Sequence, residues 1–551
     1  MQILTSHLGY GTGVGRSVVV LGVDGQLTAE LVGAVTLELG PVESVPGWSI
    51  GSCARVVLPD ELSPGTYVVR VGSVESEPFV VEPDRVQRQT MSDVLAYFKA
   101  MRSSGEIDRK DRAARLWGDE SGTTVDARGG WLDASGDTSK FLSHLTYTST
   151  MSPQQIPLRA WAMLAARDQI SAWHPALVRL LGSRLRDEAL FGADFLVRFR
   201  SPEGYFYTGI FDALTKQLDE RVITAPLQNS VRTARYQSAY RHGGGLAIAA
   251  LARASTTDAD GDYPRSTYLA AASEAFTHLE QHNREYLFDH TESIIDDYCA
   301  LLAATELTAA LRTADDAEGV RVAANAAWRR ASSLVSRYVS PGDGPGWFRA
   351  DEDGRPFVHA VEPGLPILAL LRFAEVFPTS RQASIARTTA VRAMLDVLDR
   401  TAAVPNPFGY PRSPAGFFFP HENETGYWWQ GENAAIASLS AAASACAHLP
   451  DVPDADKHRL KTFAADQLAW ILGRNPYDVC MLQGRGRNNV DYHSDYPNLP
   501  GGIINGITGG WTNEQDIAFL PPDAPESDHW RWAEQWIPHT AWYLLATASA
   551  P

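Results

Sequence analysis

"NAAIASLSAAASACAHL" occupies residues 433–449. Its apolar side chains recur at i, i+3, i+4 and i+7, the period of one helix face. Alanine fills most positions between them, which lets one helix approach another closely. The same signature returns at residues 91–103, 157–168, 188–199, 243–255, 267–282, 297–314, 321–339, 364–377, 388–402, 458–473 and 539–549. About a dozen such segments therefore follow one another from about residue 90, joined by long connections rich in Gly, Pro, Trp and Tyr. No strand periodicity is visible in this part of the chain. Paired as hairpins, the segments make a closed (α/α) six-hairpin toroid; a helical bundle or a solenoid would use the same pieces.

Ahead of them the character differs. Residues 1–85 carry short runs rich in Val, Thr and Leu, such as "RSVVVLGV", "CARVVLP" and "GTYVVRVG", separated by Gly, Pro, Asp or Ser. Runs at this spacing predict a small antiparallel β-sandwich. "VEPDRVQRQ" marks the linker, so the chain divides into a β-domain at 1–85 and a mainly α domain at 86–551.

With 48 basic and 65 acidic residues, the 551-residue chain carries a formal charge of -17. Such a surface repels phosphate backbones and anionic lipid, so neither nucleic acid nor a membrane is an expected partner. No apolar run is long enough to span a bilayer. "MQILTSHLGYGTG" has no basic region followed by an apolar core, which points to a cytoplasmic protein, or to a secreted one whose signal has been removed. Cys53, Cys299, Cys446 and Cys480 are scattered, with neither CxxC nor metal-ligand spacing, and are expected as buried free thiols. Many aromatics stand in polar, Gly-rich stretches, among them Trp428 and Trp429 in "GYWWQG" and Trp530, Trp532 and Trp536 in "HWRWAEQW". Loop aromatics suit a cleft for flat, partly apolar ligands such as sugars, although they also pin loops to a body.

"RGGWLDASGDTSKF", residues 128–141, places Asp133 and Asp137 four positions apart. An EF-hand loop starting at Asp133 requires Gly at its sixth position and Glu at its twelfth; Thr138 and His144 stand there, so that reading fails, though a looser calcium site stays open. Asp137 also suits the cap of a helix starting near Ser139. Acid–base chemistry uses both residues: one carboxylate takes a proton from water while its neighbour fixes that water. Glycoside hydrolysis then needs a distant carboxylic acid for the leaving oxygen. Glu534, between Trp532 and Trp536 and just before a helix whose first turn holds Pro538, is the candidate; an apolar setting raises a carboxyl pKa as an acid requires. A surface pair with Arg531 is the alternative role for Glu534.

Taken in chain order, these segments resemble glycoside hydrolase family 9 over nearly the whole length. "ILTSHLGYGTGVGRSVVVLG" is similar to the start of the immunoglobulin-like domain that precedes many of its catalytic domains. "GGWLDASGD" resembles the motif bearing the catalytic aspartates, and "DDYCALLAATELTAA" a helix beginning Asp-Asp. "LGRNPYDVCMLQGRG" resembles the near-terminal Leu-Gly-Arg-Asn-Pro segment, and "AEQWIPHTAWYLLATAS" the terminal segment bearing the acid. The resemblance implies an (α/α) six-hairpin toroid behind an immunoglobulin-like sandwich, and an inverting mechanism. Asp137 is the implied base, Asp133 the residue that helps hold the water, and Glu534 the acid, with base and acid about 6.5–9.5 Å apart. No cofactor is required.

Three departures from the cellulase pattern matter. Three residues separate the aspartates where cellulases have two, which is closer to an exo-acting branch of glucosaminidases and glucosidases. His493 stands alone where cellulases carry Pro-His-His-Arg, and neither Arg485 nor Arg487 has an assignable place. "PHENETGYWWQGENAAIA" brings Glu422, Glu424 and Glu432, which would receive an amino sugar through charge-assisted bonds or else cap the following helix. The expected activity is an exo-acting β-glycosidase on β-1,4-linked gluco- or glucosamino-oligosaccharides. An endo-β-1,4-glucanase is the alternative, and a sugar-binding protein without catalysis ranks below both. Trp131, Tyr427, Trp428, Trp429, Trp532, His493, Glu424 and Glu432 are the expected sugar contacts. The oligomeric state is not legible.

Overall fold

The computed structural model describes the chain except residues 26, 145–151, 228–229, 343, 425, 428–429, 493–496, 511 and 551, together with the side chains of 426–427. Two antiparallel sheets form the N-terminal part. One holds Gln2–Leu4, Ser17–Leu21, Ser52–Val57 and Glu43–Ser44 in that order; the other holds Val35–Leu37, Ala29–Leu31, Val69–Val71 and Val74–Glu75. Val18, Val20, Ala54 and Val56 meet Ala29, Leu31, Val69 and Val71 in a small core of their own. Val19 and Cys53, on the opposite face, join the core of the helical part. Burial on both faces explains the uninterrupted "VVV" of this strand. Strand Phe79–Val81 closes the region, and helix α1 begins at Arg85.

Fourteen α-helices lie among the described residues: α1 (Arg85–Ala100), α2 (Gly105–Asp111), α3 (Ile156–Trp173), α4 (Pro175–Arg198), α5 (Gly245–Ser255), α6 (Arg265–Tyr286), α7 (Ile294–Thr313), α8 (Ala317–Arg337), α9 (Leu365–Val376), α10 (Arg381–Ala402), α11 (Asn433–Ala447), α12 (Asp454–Ile471), α13 (Trp530–Ala533) and α14 (Ile537–Ser549). Helices α3, α5, α7, α9, α11 and α14 each pack on the next, and α14 closes the ring onto α3. This closure decides for the toroid against a bundle or solenoid. The ring helices are buried nearly all round, α14 over its whole length, which is why their sequences are alanine-rich with little polar face. Helices α1, α4, α6, α8, α10 and α12 form the outer layer and are one-sided; α8 buries Ala323, Ala326, Ala327, Ala331 and Leu334, three or four residues apart. One outer helix intervenes between successive ring helices, so the ring helices run parallel and their N-termini share one end. Proline occupies the first turn of α3, α9 and α14, where a missing N–H costs nothing.

The helical part does contain strands, contrary to the sequence reading. Thr124–Val125, Ala114–Leu116, Val222–Ile223, Gly209–Phe211 and Lys140–Phe141 form a five-stranded sheet. Strands of two or three residues are too short to show a period. The edge strand Lys140–Phe141 positions the residues just before it.

Candidate active site

Asp133 and Asp137 sit on a loop hung between two fixed points. Leu132 N–H donates to Met101 O at 2.9 Å before it, and Lys140–Phe141 pairs with Gly209–Phe211 after it. Between them, Asp137 N–H closes a turn onto Ala134 O at 3.2 Å, with Gly136 at φ 85°. A turn with glycine in this left-handed third position absorbs the three-residue spacing. No helix starts near Ser139, so Asp137 caps none; its Oδ1 accepts from Ser139 N–H at 2.8 Å.

The same loop is stitched to a segment four hundred positions away. Ser135 N–H donates to Gln535 O at 2.8 Å, and Gln535 N–H returns a bond to Ser135 Oγ at 2.8 Å. Ser135 Oγ donates to Asn498 Oδ1 at 2.8 Å, and Ile537 N–H donates to Asp133 O at 3.1 Å. Glu534 terminates α13 in extended backbone, three residues before α14, at the end of the ring where the N-termini lie. The alternative partner Arg531 pairs with Asp528 instead.

The three carboxyls share one desolvated environment. Asp133 Oδ1 accepts from Trp536 Nε1 at 3.0 Å and from the Gln155 side-chain amide, while His144 Nδ1 lies 3.9 Å from Oδ2. Burial first, then the charge of Asp137, pushes Asp133 well above the usual carboxylate range. Asp137 is also raised by burial, against its bonds to Ser139. Burial raises Glu534 well above its usual value, and the charges of Asp133 and Asp137 raise it further. All three carboxyls are thus raised by a shared buried setting, Glu534 further by the two aspartates.

Buried groups brace the loop from behind. Arg221 binds Asp111 at 2.8–2.9 Å and donates to Thr138 O at 2.7 Å. Lys140 Nζ donates to Ala127 O and Gly129 O, and Thr138 Oγ1 donates to Asp212 at 2.8 Å. Arg221 lowers the Asp137 carboxyl and Asp212 raises it.

Several expected sugar contacts fall elsewhere. Trp131 is fully buried, its indole N–H on Glu188 at 2.9 Å, so it props the loop and offers no face to a sugar. Trp532 is likewise fully buried, donating to Thr508 Oγ1 at 3.0 Å. Glu424 is bound at both oxygens by Arg355, at 2.6 and 2.8 Å, and that guanidinium also binds Asp351 at 3.0 Å. Glu432 occupies the N-cap of α11 without a side-chain capping bond. It lines a cavity with Trp347, Phe357, His359 and Phe418, and burial raises its carboxyl well above the usual range. Arg485 pairs with Asp93, and Arg487 with Asp478. His493, Trp428 and Trp429 lie outside the described residues; Tyr427 is placed only by its backbone in the hairpin Glu422–Asn423 and Gly426–Tyr427. Among the described residues no group of three or more His, Cys, Asp or Glu side chains is arranged to hold a metal.

Sequence reasoning missed Gln155 and Tyr492. Gln155 is the N-cap residue of α3, and the predicted helix start at 157 pointed at its neighbourhood. Tyr492 lies next to the expected His493; burial raises its phenol, and so do the charges of Glu534 and Asp137, which it faces.

A closed ring of helix hairpins with three buried carboxyls at its N-terminal end is the arrangement of an (α/α)₆ glycoside hydrolase. The model of glycosyl hydrolase family 9 matches residues 88–497, three quarters of the chain, and the chain belongs to that family. That span holds Asp133 and Asp137 and stops before Glu534. Solved structures extend the likeness of fold to the whole chain. A family 9 protein from Bacteroides ovatus superposes with TM-score 0.67 at 17% identity, covering 100% of this chain and 98% of its own. A metagenome-derived family 9 endoglucanase gives 0.66 at 18%, covering 100% and 99%. The family 9 endoglucanase J30 gives 0.67 at 19%, covering 98% and 99%. No curated protein matches the chain. The protein is thus an O-glycoside hydrolase, inverting as its family is.

Proposed function

We propose that the protein is an exo-acting inverting β-glycosidase that cleaves β-1,4-linked gluco- or glucosamino-oligosaccharides. The reading is carried by one observation: a desolvated, charge-coupled Glu534 stands with the Asp133–Asp137 pair at the N-terminal end of the ring. Glu534 donates its proton to the leaving glycosidic oxygen. Asp137 removes a proton from water, and Asp133, held by Trp536 and Gln155, orients that water for attack from the opposite face. Attack from opposite the leaving group inverts the anomeric carbon, so a β-glycoside releases an α-anomer first.

Exo action is supported by the three-residue turn between the aspartates. The names of solved neighbours favour endo-β-1,4-glucanase as the second reading. Cellotetraose and a chitosan tetramer, followed by product mass and anomeric NMR, separate them. Stepwise loss of one sugar as the α-anomer supports the proposal; cleavage inside cellotetraose supports the endoglucanase; β-anomer first removes inversion.

A further inference from the structure

Arg159 lies in the first turn of α3, one helical turn beyond Gln155, and is wholly buried. Its guanidinium stacks on the rings of Phe98, Trp131 and Tyr97, at 4.2, 4.8 and 5.8 Å from their centroids. None of its three nitrogens has a hydrogen-bond acceptor among the described residues. A cation removed from water without a counter-ion or an acceptor is destabilising, and a methionine would fill the same aromatic cage at less cost. Packing alone does not account for an arginine there. The carboxylate nearest to hand, Glu188, is already committed: Arg102 binds it at 3.1 and 2.6 Å, and Trp131 donates to it at 2.9 Å. That leaves Asp133. Gln155 ties Asp133 to the N-terminus of α3, and Trp131, whose ring walls the cage, stands two residues before it.

We propose that Arg159 is a positioning residue for the reaction, a sealed cation behind the aspartate loop that holds the Asp133–Asp137 pair ionised beside a protonated Glu534. This deepens the reading given under Proposed function and rests on its assignment of the pair. The groups that face the pair bear on it unequally. Burial and then Asp137 raise Asp133, Asp212 raises Asp137, and the two aspartates raise Glu534. Burial pushes His144, 3.9 Å from Asp133, down to about 4, so it is neutral near pH 7. Tyr97 from α1 and Tyr492 are neutral phenols raised by burial. Two cations oppose the carboxylates: Arg221 behind Asp137, anchored on Asp111, and Arg159 behind Asp133, held by its aromatic cage without a hydrogen-bond acceptor among the described residues, with Tyr97 and Glu188 also acting on its charge.

The test compares wild type with R159M, R159Q and R159K. In the neutral variants the acid limb of the kcat/KM profile, measured on the tetramer that the enzyme cleaves, is expected to move up by about 1 pH unit, with KM little changed. R159K is expected to restore most of the wild-type limb. The neutral variants come as a pair because R159M could fail to fold where the polar R159Q does not. A folded neutral variant whose limb stays in place overturns the proposal and leaves Arg159 a packing residue. A second readout needs no turnover: the pH dependence of Tm in a double-mutant cycle with D133N. Coupling between Arg159 and Asp133 is expected, and strict additivity overturns the proposal even if the glycosidase assignment stands. If neither tetramer is cleaved while the coupling is found, the assignment of the reaction fails and the charge pairing survives.

Discussion

Roles at single residues follow from which proton each carboxyl holds. Asp137→Asn removes the proposed base and Glu534→Gln the proposed acid, while both substitutions preserve shape. We expect either to lower kcat by about 10²–10⁴-fold, the usual contribution of one general acid or base, with tetramer binding by calorimetry largely intact. Full turnover in either variant would remove the assignment. Glu362, buried three residues before α9, makes a different prediction. Tyr298 Oη donates to one of its oxygens at 2.6 Å and Gln154 N–H to the other at 2.9 Å, yet burial pushes its carboxyl up to about 8. A carboxyl whose folded value exceeds its unfolded value of 4.5 binds its proton more tightly in the fold. Its stabilising contribution is therefore complete below the unfolded value and is lost as pH rises through the folded one. At about 1.4 kcal/mol per pH unit the loss is a few kcal/mol at most. Glu362→Gln keeps an acceptor for Gln154 and a donor for Tyr298 but cannot ionise. Its Tm is expected to fall less than that of wild type between about pH 5 and pH 8. Identical slopes would mean that Glu362 does not titrate in this range.

Among elements, the decisive joint is the one between the aspartate loop and the strand-like segment that carries Glu534. Ser135 Oγ takes part in two bonds there, accepting from Gln535 N–H and donating to Asn498. Ser135→Ala strands a buried backbone N–H, at an expected cost of about 1–3 kcal/mol by urea denaturation. Because base and acid lie on the two sides of this joint, kcat should fall about tenfold with it, since small misplacements of catalytic groups are costly. A variant destabilised to that degree with unchanged kcat would show that other contacts set the spacing. The same scale explains what the sequence discloses. Each of the twelve long helices runs for three or more turns and is legible as a helix, but their number and pairing leave bundle, solenoid and ring open until α14 is seen to pack on α3. Asp133, Asp137 and Glu534 stand out because their flanks are unusual: a Gly-rich turn and a tryptophan-rich helix start. The five-stranded sheet does not show, because its strands are two or three residues long. Nor does the burial of Trp131 and Trp532: an aromatic in a polar stretch reads alike whether it faces a cleft or a neighbouring buried carboxylate or hydroxyl. Glu424 misleads in the same way, for its partner Arg355 lies 69 positions earlier.

For the molecule as a whole, one face of the N-terminal sheets enters the core of the toroid, while the sheets keep a second core between them. Trp48, only 5% exposed, projects from the sheet region into an aromatic cluster of the helical part. Its ring lies 4.9 Å from Phe418, 6.0 Å from Phe408, 6.0 Å from Trp470 and 6.3 Å from Phe419. Beside it Arg55 forms a two-pronged bond, 2.8 Å on each arm, with Asp466 of α12, which also binds the buried Arg474. Farther along, His7 and Arg487 both bind Asp478; although burial pushes that carboxyl up, the two bonds pull it below its usual value. An arrangement of this kind makes the sheets a brace rather than an appended module. Trp48→Ala leaves a large cavity among rings that cannot collapse together, and we expect a loss of about 3–5 kcal/mol in urea denaturation. Arg55→Ala tests the polar half of the joint; Asp466 keeps Arg474, so the loss should be smaller. Because the sheet face carrying Val19, Cys53 and Trp48 is part of the toroid's core, wild type should unfold in one transition followed identically by tryptophan fluorescence and far-ultraviolet circular dichroism. Two transitions, with Trp48→Ala lowering only the first, would show that the sheets fold on their own and merely rest against the ring.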